Sequence, residues 1–263
     1  MFPEQTASDS GIYAGEFEEE NGVTTPSSVE ESEIAHFSAL AADWWNPRGP
    51  MRPLHAMNPL RIRWIDRFLP LGRRGSAGLK LLDIGCGAGL ASEALAKTGR
   101  NVLGLDASDA GISAAKQHLA DNPLPPGSGA LDYRCGSAED LVAEGRTFDA
   151  VIALEVIEHV ADPVAFMALL SKLTQPGGRV FVSTMNRTPA AWALAKLGAE
   201  YIARLLPVGT HDWKKFITPA ELASAGRKSG LRLCATAGMK PSFSGWKESR
   251  DMSVNYIAYF ERD

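Results

Sequence analysis

Leu81-Leu82-Asp83-Ile84-Gly85-Cys86-Gly87-Ala88-Gly89 sets three glycines at alternate positions directly after an apolar run. An amphipathic pattern follows from Leu90 to Leu95. The stretch therefore reads as a strand, a tight glycine turn and the start of a helix. Glycine tolerates the positive φ angles and the close backbone approach that such a turn demands. The turn then aims its N–H groups at a ligand. A dinucleotide fingerprint, G-x-G-x-x-G, needs glycine at position 90, where this chain carries leucine. That departure counts against a reductase that binds a nicotinamide.

The pattern continues downstream. Asn101-Val102-Leu103-Gly104-Leu105-Asp106 reads as a second strand that ends in a carboxylate. In nucleotide-binding sheets an acid about 20 residues beyond the first glycine accepts the ribose hydroxyls. A carboxylate suits that task because it offers only acceptors to a diol. Asp83, Gly85, Gly87 and Gly89 together resemble motif I of the S-adenosylmethionine-dependent methyltransferases, with Asp106 as the ribose acid. Phe148-Asp149-Ala150-Val151-Ile152-Ala153-Leu154 resembles their fourth strand, and Pro176-Gly177-Gly178 the turn before their fifth.

Strands are expected near 79–84, 102–105, 130–135, 150–154 and 179–183, and helices near 89–98, 109–120, 138–144 and 163–173. This alternation implies a parallel sheet covered on both faces. A helix near 219–229 and strands near 231–236 and 253–260 complete an α/β, doubly wound, Rossmann-like sheet. It is mostly parallel with an antiparallel last strand. Residues 79–263 form this domain, with a helical insertion over 186–217 after the fifth strand. Residues 32–78 read as a helical arm, broken by Pro47, Pro50 and Pro53 and resumed as a helix over 58–69. Residues 1–31, with the acidic run Glu18-Glu19-Glu20, have the composition of a disordered tail.

The 263 residues and apolar fraction of 45% suit one globular domain with an arm. A formal charge of −4 supplies no basic field for nucleic acid. Cys86, Cys135 and Cys234 lie in or beside apolar runs and read as buried, reduced thiols, with no C-x-x-C pair for zinc. No secretory pattern or apolar run of spanning length is present, so a cytoplasmic setting is expected.

Glu155, Glu158 and His159 stand at i, i+3 and i+4, one face of a helical turn. Such a set either binds Mg²⁺ or another divalent cation, or presents His159 as a base, or merely caps a loop. In the insertion, Leu194, Leu197, Tyr201 and Leu205 share one helical face, with Trp192 at its edge and Lys196, Glu200 and Arg204 opposite. That face suits either a lid packed on the core or contact with lipid. His211 follows in Gly209-Thr210-His211-Asp212-Trp213-Lys214-Lys215-Phe216.

Further blocks narrow the resemblance. Trp44-Trp45-Asn46-Pro47, Pro53-Leu54-His55, Asn58-Pro59-Leu60-Arg61, Ser183-Thr184-Met185-Asn186-Arg187, Gly198-Ala199-Glu200-Tyr201-Ile202 and the segment around His211 resemble the ubiquinone biosynthesis O-methyltransferases. The resemblance covers most of 32–260. It implies S-adenosyl-L-methionine as cofactor, bound at positions that include Arg61, Gly85, Asp106 and Leu154. It implies methylation of a phenolic hydroxyl on polyprenyl phenols and quinols, at two steps of ubiquinone synthesis. Some members use a divalent metal at the Glu155/Glu158/His159 block. His159 or His211 is the expected base. A greasy substrate further implies peripheral contact with anionic lipid at the inner face of the cell membrane, and neighbours among other ubiquinone-biosynthesis proteins. The alternatives are a methyltransferase for another small phenol, or an inactive relative that binds cofactor or lipid.

Overall fold

The computed structural model describes residues 43–69, 78–193, 213–243 and 245–263. The acidic tail, the apolar helix face beyond residue 193 and His211 lie outside the described residues.

Seven strands and six helices of that region build one layered α/β unit, with an eighth strand closing its edge. In chain order these are α1 (Arg52–Phe68), β1 (Lys80–Ile84), α2 (Leu90–Ala96), β2 (Asn101–Asp106), α3 (Asp109–Asp121) and β3 (Leu131–Cys135). There follow α4 (Ala138–Ala143), β4 (Phe148–Leu154), α5 (Pro163–Leu173), β5 (Thr174–Met185), α6 (Pro219–Lys228), β6 (Leu231–Ser242), β7 (Gly245–Ser249) and β8 (Asn255–Arg262). The sheet order is β3-β2-β1-β4-β5-β8-β6-β7. β1 to β5 run parallel, and β8 enters antiparallel between β5 and β6. The doubly wound order with its antiparallel final strand is the one expected.

Two apolar cores sandwich the sheet. On one face Leu60, Trp64 and Ile65 of α1 and Leu95 of α2 pack with Ile152, Phe181 and Ile257. On the other, Leu141, Phe166, Leu170 and Leu222 pack with Val151, Val182, Tyr256 and Phe260. The alternation of Phe181 and Val182 across the two cores follows from the two-residue repeat of a strand.

Three local expectations change. α1 begins at Arg52, not near 58. Pro53 sits in its first turn, where a missing N–H costs nothing, and the helix runs on through Pro59. Burial of Leu60, Trp64 and Ile65 holds that interior proline in place. β7 was not read from the sequence. Its polar Lys247-Glu248-Ser249 shows no apolar alternation, and it forms by pairing with the end of a long β6. Of the three cysteines only Cys86 is buried, whereas Cys135 and Cys234 are exposed. Cys135 ends β3, an outer strand of the sheet, and Cys234 sits where the β6 ladder to β8 is irregular.

Candidate active site

Four strands end at a common edge. Ile84 is level with Leu105 and Ala153, and Leu154 with Ser183. In open α/β sheets the ligand crevice lies outside such carboxyl ends.

The glycine turn is built there. Gly85, Gly87 and Gly89 take φ values of 68°, 53° and 89°. A methyl group would also overlap Val156 at Gly85, the Trp44 ring at Gly87 and the Tyr133 hydroxyl at Gly89. The Gly85 and Cys86 N–H groups both donate to the Leu105 carbonyl, at 2.8 and 3.1 Å, and so wrap the turn around the end of β2. The Gly87 N–H donates to Oδ2 of Asp106 at 2.8 Å, and the Ser108 N–H to Oδ1 at 2.8 Å. Each carboxylate oxygen keeps acceptor capacity for a ribose hydroxyl. Burial raises the Asp106 pKa, and those two backbone bonds oppose it.

Asp83 is placed differently. It is 2% exposed and accepts the Ser92 hydroxyl at 2.6 Å, which ties α2 to β1. Burial pushes its pKa up to about 7; the Asp106 charge adds to the rise and the Ser92 bond opposes it. Its visible task is to hold the turn's two flanking elements together.

The arm closes on the turn from the other side. Trp44 packs with Met51 and Ala88. Trp45 donates its indole N–H to the Ala88 carbonyl at 2.9 Å. Its ring stacks on His118, with centroids 3.4 Å apart and planes 2° from parallel. His118 Nδ1 lies 2.6 Å from the buried Glu93 carboxylate. His55 Nε2 bonds the Trp44 carbonyl at 2.8 Å, and the Asn58 amide donates to the Leu90 carbonyl at 3.0 Å. The Trp44, His55 and Asn58 blocks thus acquire a shared role, the fastening of the arm to the glycine turn.

One helical turn beyond Asn58, Arg61 reaches the end of β4. It is 3% exposed, and its Nη2 lies 2.6 Å from Glu155 Oε1. The same oxygen accepts the Ser183 hydroxyl at 2.6 Å, while Oε2 accepts the Asn255 amide at 2.8 Å. Glu155 alone among the described non-glycine residues has a positive φ, 58°. Leu154, just before it, packs against the α1-side core.

The expected Glu155/Glu158/His159 metal set is not assembled. Glu155 spends its carboxylate on Arg61, Ser183 and Asn255. Glu158 is buried, and burial and the Glu155 charge push its pKa up to about 7, against the pull of His159 and Thr184. Among the described residues no group of three His, Cys, Asp or Glu side chains converges as a metal site. The i, i+3, i+4 logic fails because the left-handed Glu155 precedes the helical turn, which spans only Ile157–His159. As placed, the donors do not fit a cation. His159 itself is half-buried at the end of that turn, with its N–H on the Val156 carbonyl at 2.9 Å.

Residues 82–182 match the methyltransferase-domain family. A ubiquinone biosynthesis O-methyltransferase of Brucella anthropi is 45% identical over 248 residues, spanning 91% of this chain and 98% of that protein. This chain belongs to the ubiquinone biosynthesis O-methyltransferases. A Cereibacter sphaeroides member is 46% identical over 245 residues, covering 89% of this chain and 97% of its own. Among solved structures, magnesium protoporphyrin IX methyltransferase from Synechocystis with bound S-adenosylhomocysteine aligns at a TM-score of 0.63. It is 20% identical and covers 88% of this chain and 99% of its own, a likeness of fold. This methyltransferase draws its methyl group from S-adenosylmethionine.

Sequence reading missed Ser92, Trp45 and Asn255 as parts of this O-methyltransferase's site. A signal existed for Asn255, an amide directly before the apolar run Tyr256–Phe260. Trp45 stands in the Trp44–Pro47 block but gains a task only from its bond to Ala88, and nothing marks Ser92 until the chain is folded.

Proposed function

We propose that this enzyme methylates a phenolic hydroxyl of polyprenylated ubiquinone precursors, at both O-methylation steps. One observation carries the reading. Gly85, Gly87, Gly89, Asp106 and Leu154 lie at one sheet edge and Arg61 reaches it from α1 through Glu155, in a chain that matches its relatives over nearly their whole length. Asp106 takes the ribose hydroxyls, the glycine turn presents its bare backbone to the cofactor, and Arg61 takes the methionine carboxylate by a charge-assisted bond.

The chemistry follows. The phenolate oxygen forms a bond to the methyl carbon as the carbon–sulfur bond breaks. The electron pair stays on sulfur, which leaves as the neutral thioether of S-adenosylhomocysteine. The site must align oxygen, methyl and sulfur. His159, at the carboxyl end of β4, takes the phenol proton as general base. His211 is the second candidate and lies outside the described residues.

A polyprenyl chain partitions into bilayers, so the encounter takes place at a membrane surface. Among the described residues no helix is long and apolar enough to cross a membrane. The segment 189–206 is the proposed interfacial element, lying on anionic lipid by its apolar face. Its first turn carries Trp192, 42% exposed.

The test is direct. Purified protein, S-adenosylmethionine and a short-tailed prenyl catechol should yield a methyl ether by mass spectrometry, with one S-adenosylhomocysteine per product. Cofactor binding without product from either a prenyl phenol or a demethylubiquinol would overturn the assignment.

A further inference from the structure

We infer that Glu155 and Asn255 are positioning residues that aim Arg61 at the amino-acid end of the cofactor. The inference rests on the proposed contact between Arg61 and the methionine carboxylate.

Arg61 is a fully charged group inside the protein, 3% exposed. A buried charge must be compensated or it destabilises its surroundings. Glu155 supplies the compensating charge at 2.6 Å. Its own freedom is removed on three sides. Ser183 holds Oε1 at 2.6 Å, Asn255 holds Oε2 at 2.8 Å, and its backbone N–H donates to the Ser183 carbonyl at 2.9 Å. The left-handed backbone at φ 58° swings the side chain off the line of β4 toward α1. Such a conformation in a non-glycine residue persists only where the surroundings enforce it.

The ion pair does not exhaust Arg61. Its Nε and Nη2 are buried with no hydrogen-bond partner among the described residues, and the Nη2 contact with Glu155 is close but out of line. Asn255 Oδ1 is likewise buried and unpartnered, on a residue 2% exposed. A buried fork with unused donors, beside a buried unused acceptor, is incomplete as a purely structural cluster. The cofactor end carries one carboxylate and one ammonium. These groups complement unused guanidinium donors and an unused acceptor with a carboxylate nearby. Glu155 thus neutralises Arg61 in the free enzyme and fixes its direction in the bound one. The same geometry explains why Glu155 is unsuited to bind a cation, since both its oxygens are engaged.

The experiment compares two ligands on the full chain. S-adenosylhomocysteine carries the amino-acid end, and methylthioadenosine lacks it while keeping the adenosine and sulfur. Calorimetry on Asn255→Ala and Glu155→Gln should show S-adenosylhomocysteine weakened about tenfold or more, with methylthioadenosine unchanged. KM for S-adenosylmethionine should rise in Asn255→Ala with kcat little altered. Equal weakening of both ligands would mark a general structural role and overturn the inference, as would no change in either. Arg61→Ala separates the two levels of the argument. If it weakens both ligands alike, the assignment of Arg61 to the carboxylate fails. If it is selective while the other two variants are neutral, only the positioning role fails. Should Glu155→Gln not fold, Asn255→Ala, which removes only an amide, decides alone.

Discussion

The two halves of the candidate site are made in opposite ways. At β1 and β2 the recognition surface is main chain, three glycines wrapped around the Leu105 carbonyl and fixed by Asp106. Beyond β4, and at β5 and β8, it is side chain, with Arg61, Ser183 and Asn255 drawn from three elements and Glu155 from the bend after β4. The three glycines of the first half tolerate no Cβ, because positive φ and close packing both forbid it. The second half tolerates change in degrees. Loss of shape at the turn should therefore destroy binding, and loss of a bond at the hub should only reweight which part of the ligand is felt.

The sharpest way to break this contrast is Gly85→Val. The branched side chain would collide with Val156 and strain a φ of 68°. Calorimetry should find no measurable cofactor binding in a folded variant, and normal binding would remove the turn from the site. Asp106→Ala comes next. It removes the proposed ribose acceptor and the anchor of the Gly87 and Ser108 N–H groups, and should weaken S-adenosylmethionine by about 1–3 kcal/mol. An unchanged dissociation constant would assign the nucleotide to other residues. Trp45→Phe keeps the stacking surface on His118 but deletes the bond to Ala88, at an expected cost of about 0.5–1.5 kcal/mol in thermal stability. Equal melting curves would detach the arm from the turn.

Asp83 tests the turn half through pH. Burial raises its pKa from 3.8 to about 7, so the folded protein holds that proton more tightly than the unfolded chain. Its contribution is present in full below the lower value and is lost as pH climbs through the upper one. Asp83→Asn keeps an acceptor for Ser92 without the charge. Thermal melts should show a flatter stability curve across that window and a gain on its alkaline side. Parallel curves for the two proteins would refute the shift. The smallest expected effect belongs to chelation. With Glu155 committed to Arg61, exhaustive treatment with EDTA should leave methyl transfer unchanged, and a loss restored by Mg²⁺ would mean that the hub rearranges to hold a cation.

The turn half was legible in the sequence because its logic is local. Leu81 to Gly89 and Asn101 to Asp106 are each one strand and its ending, and the structure keeps both. The other half was not, for a reason of distance. Asn255 meets Glu155 across 100 residues, and at the turn itself the bond that escaped notice, Trp45 to Ala88, spans 43. The spacing of Glu155, Glu158 and His159 suggested a helical face, and one left-handed residue undid it. β7 escaped notice because it owes its form to pairing with β6 and not to its own composition.

The position of β8 has a consequence for the order in which this enzyme becomes active. The strand is inserted between β5 and β6, so it can pair only after both have been made. It also brings the amide that completes the Glu155 hub. On a ribosome, the glycine turn emerges early and can form from neighbours in the chain. The end proposed to grip the amino acid waits for a contact of long sequence separation, which closes slowly. A chain released before β8 would carry a nucleotide cradle without its clasp, so competence for methyl transfer arrives only with the finished sheet.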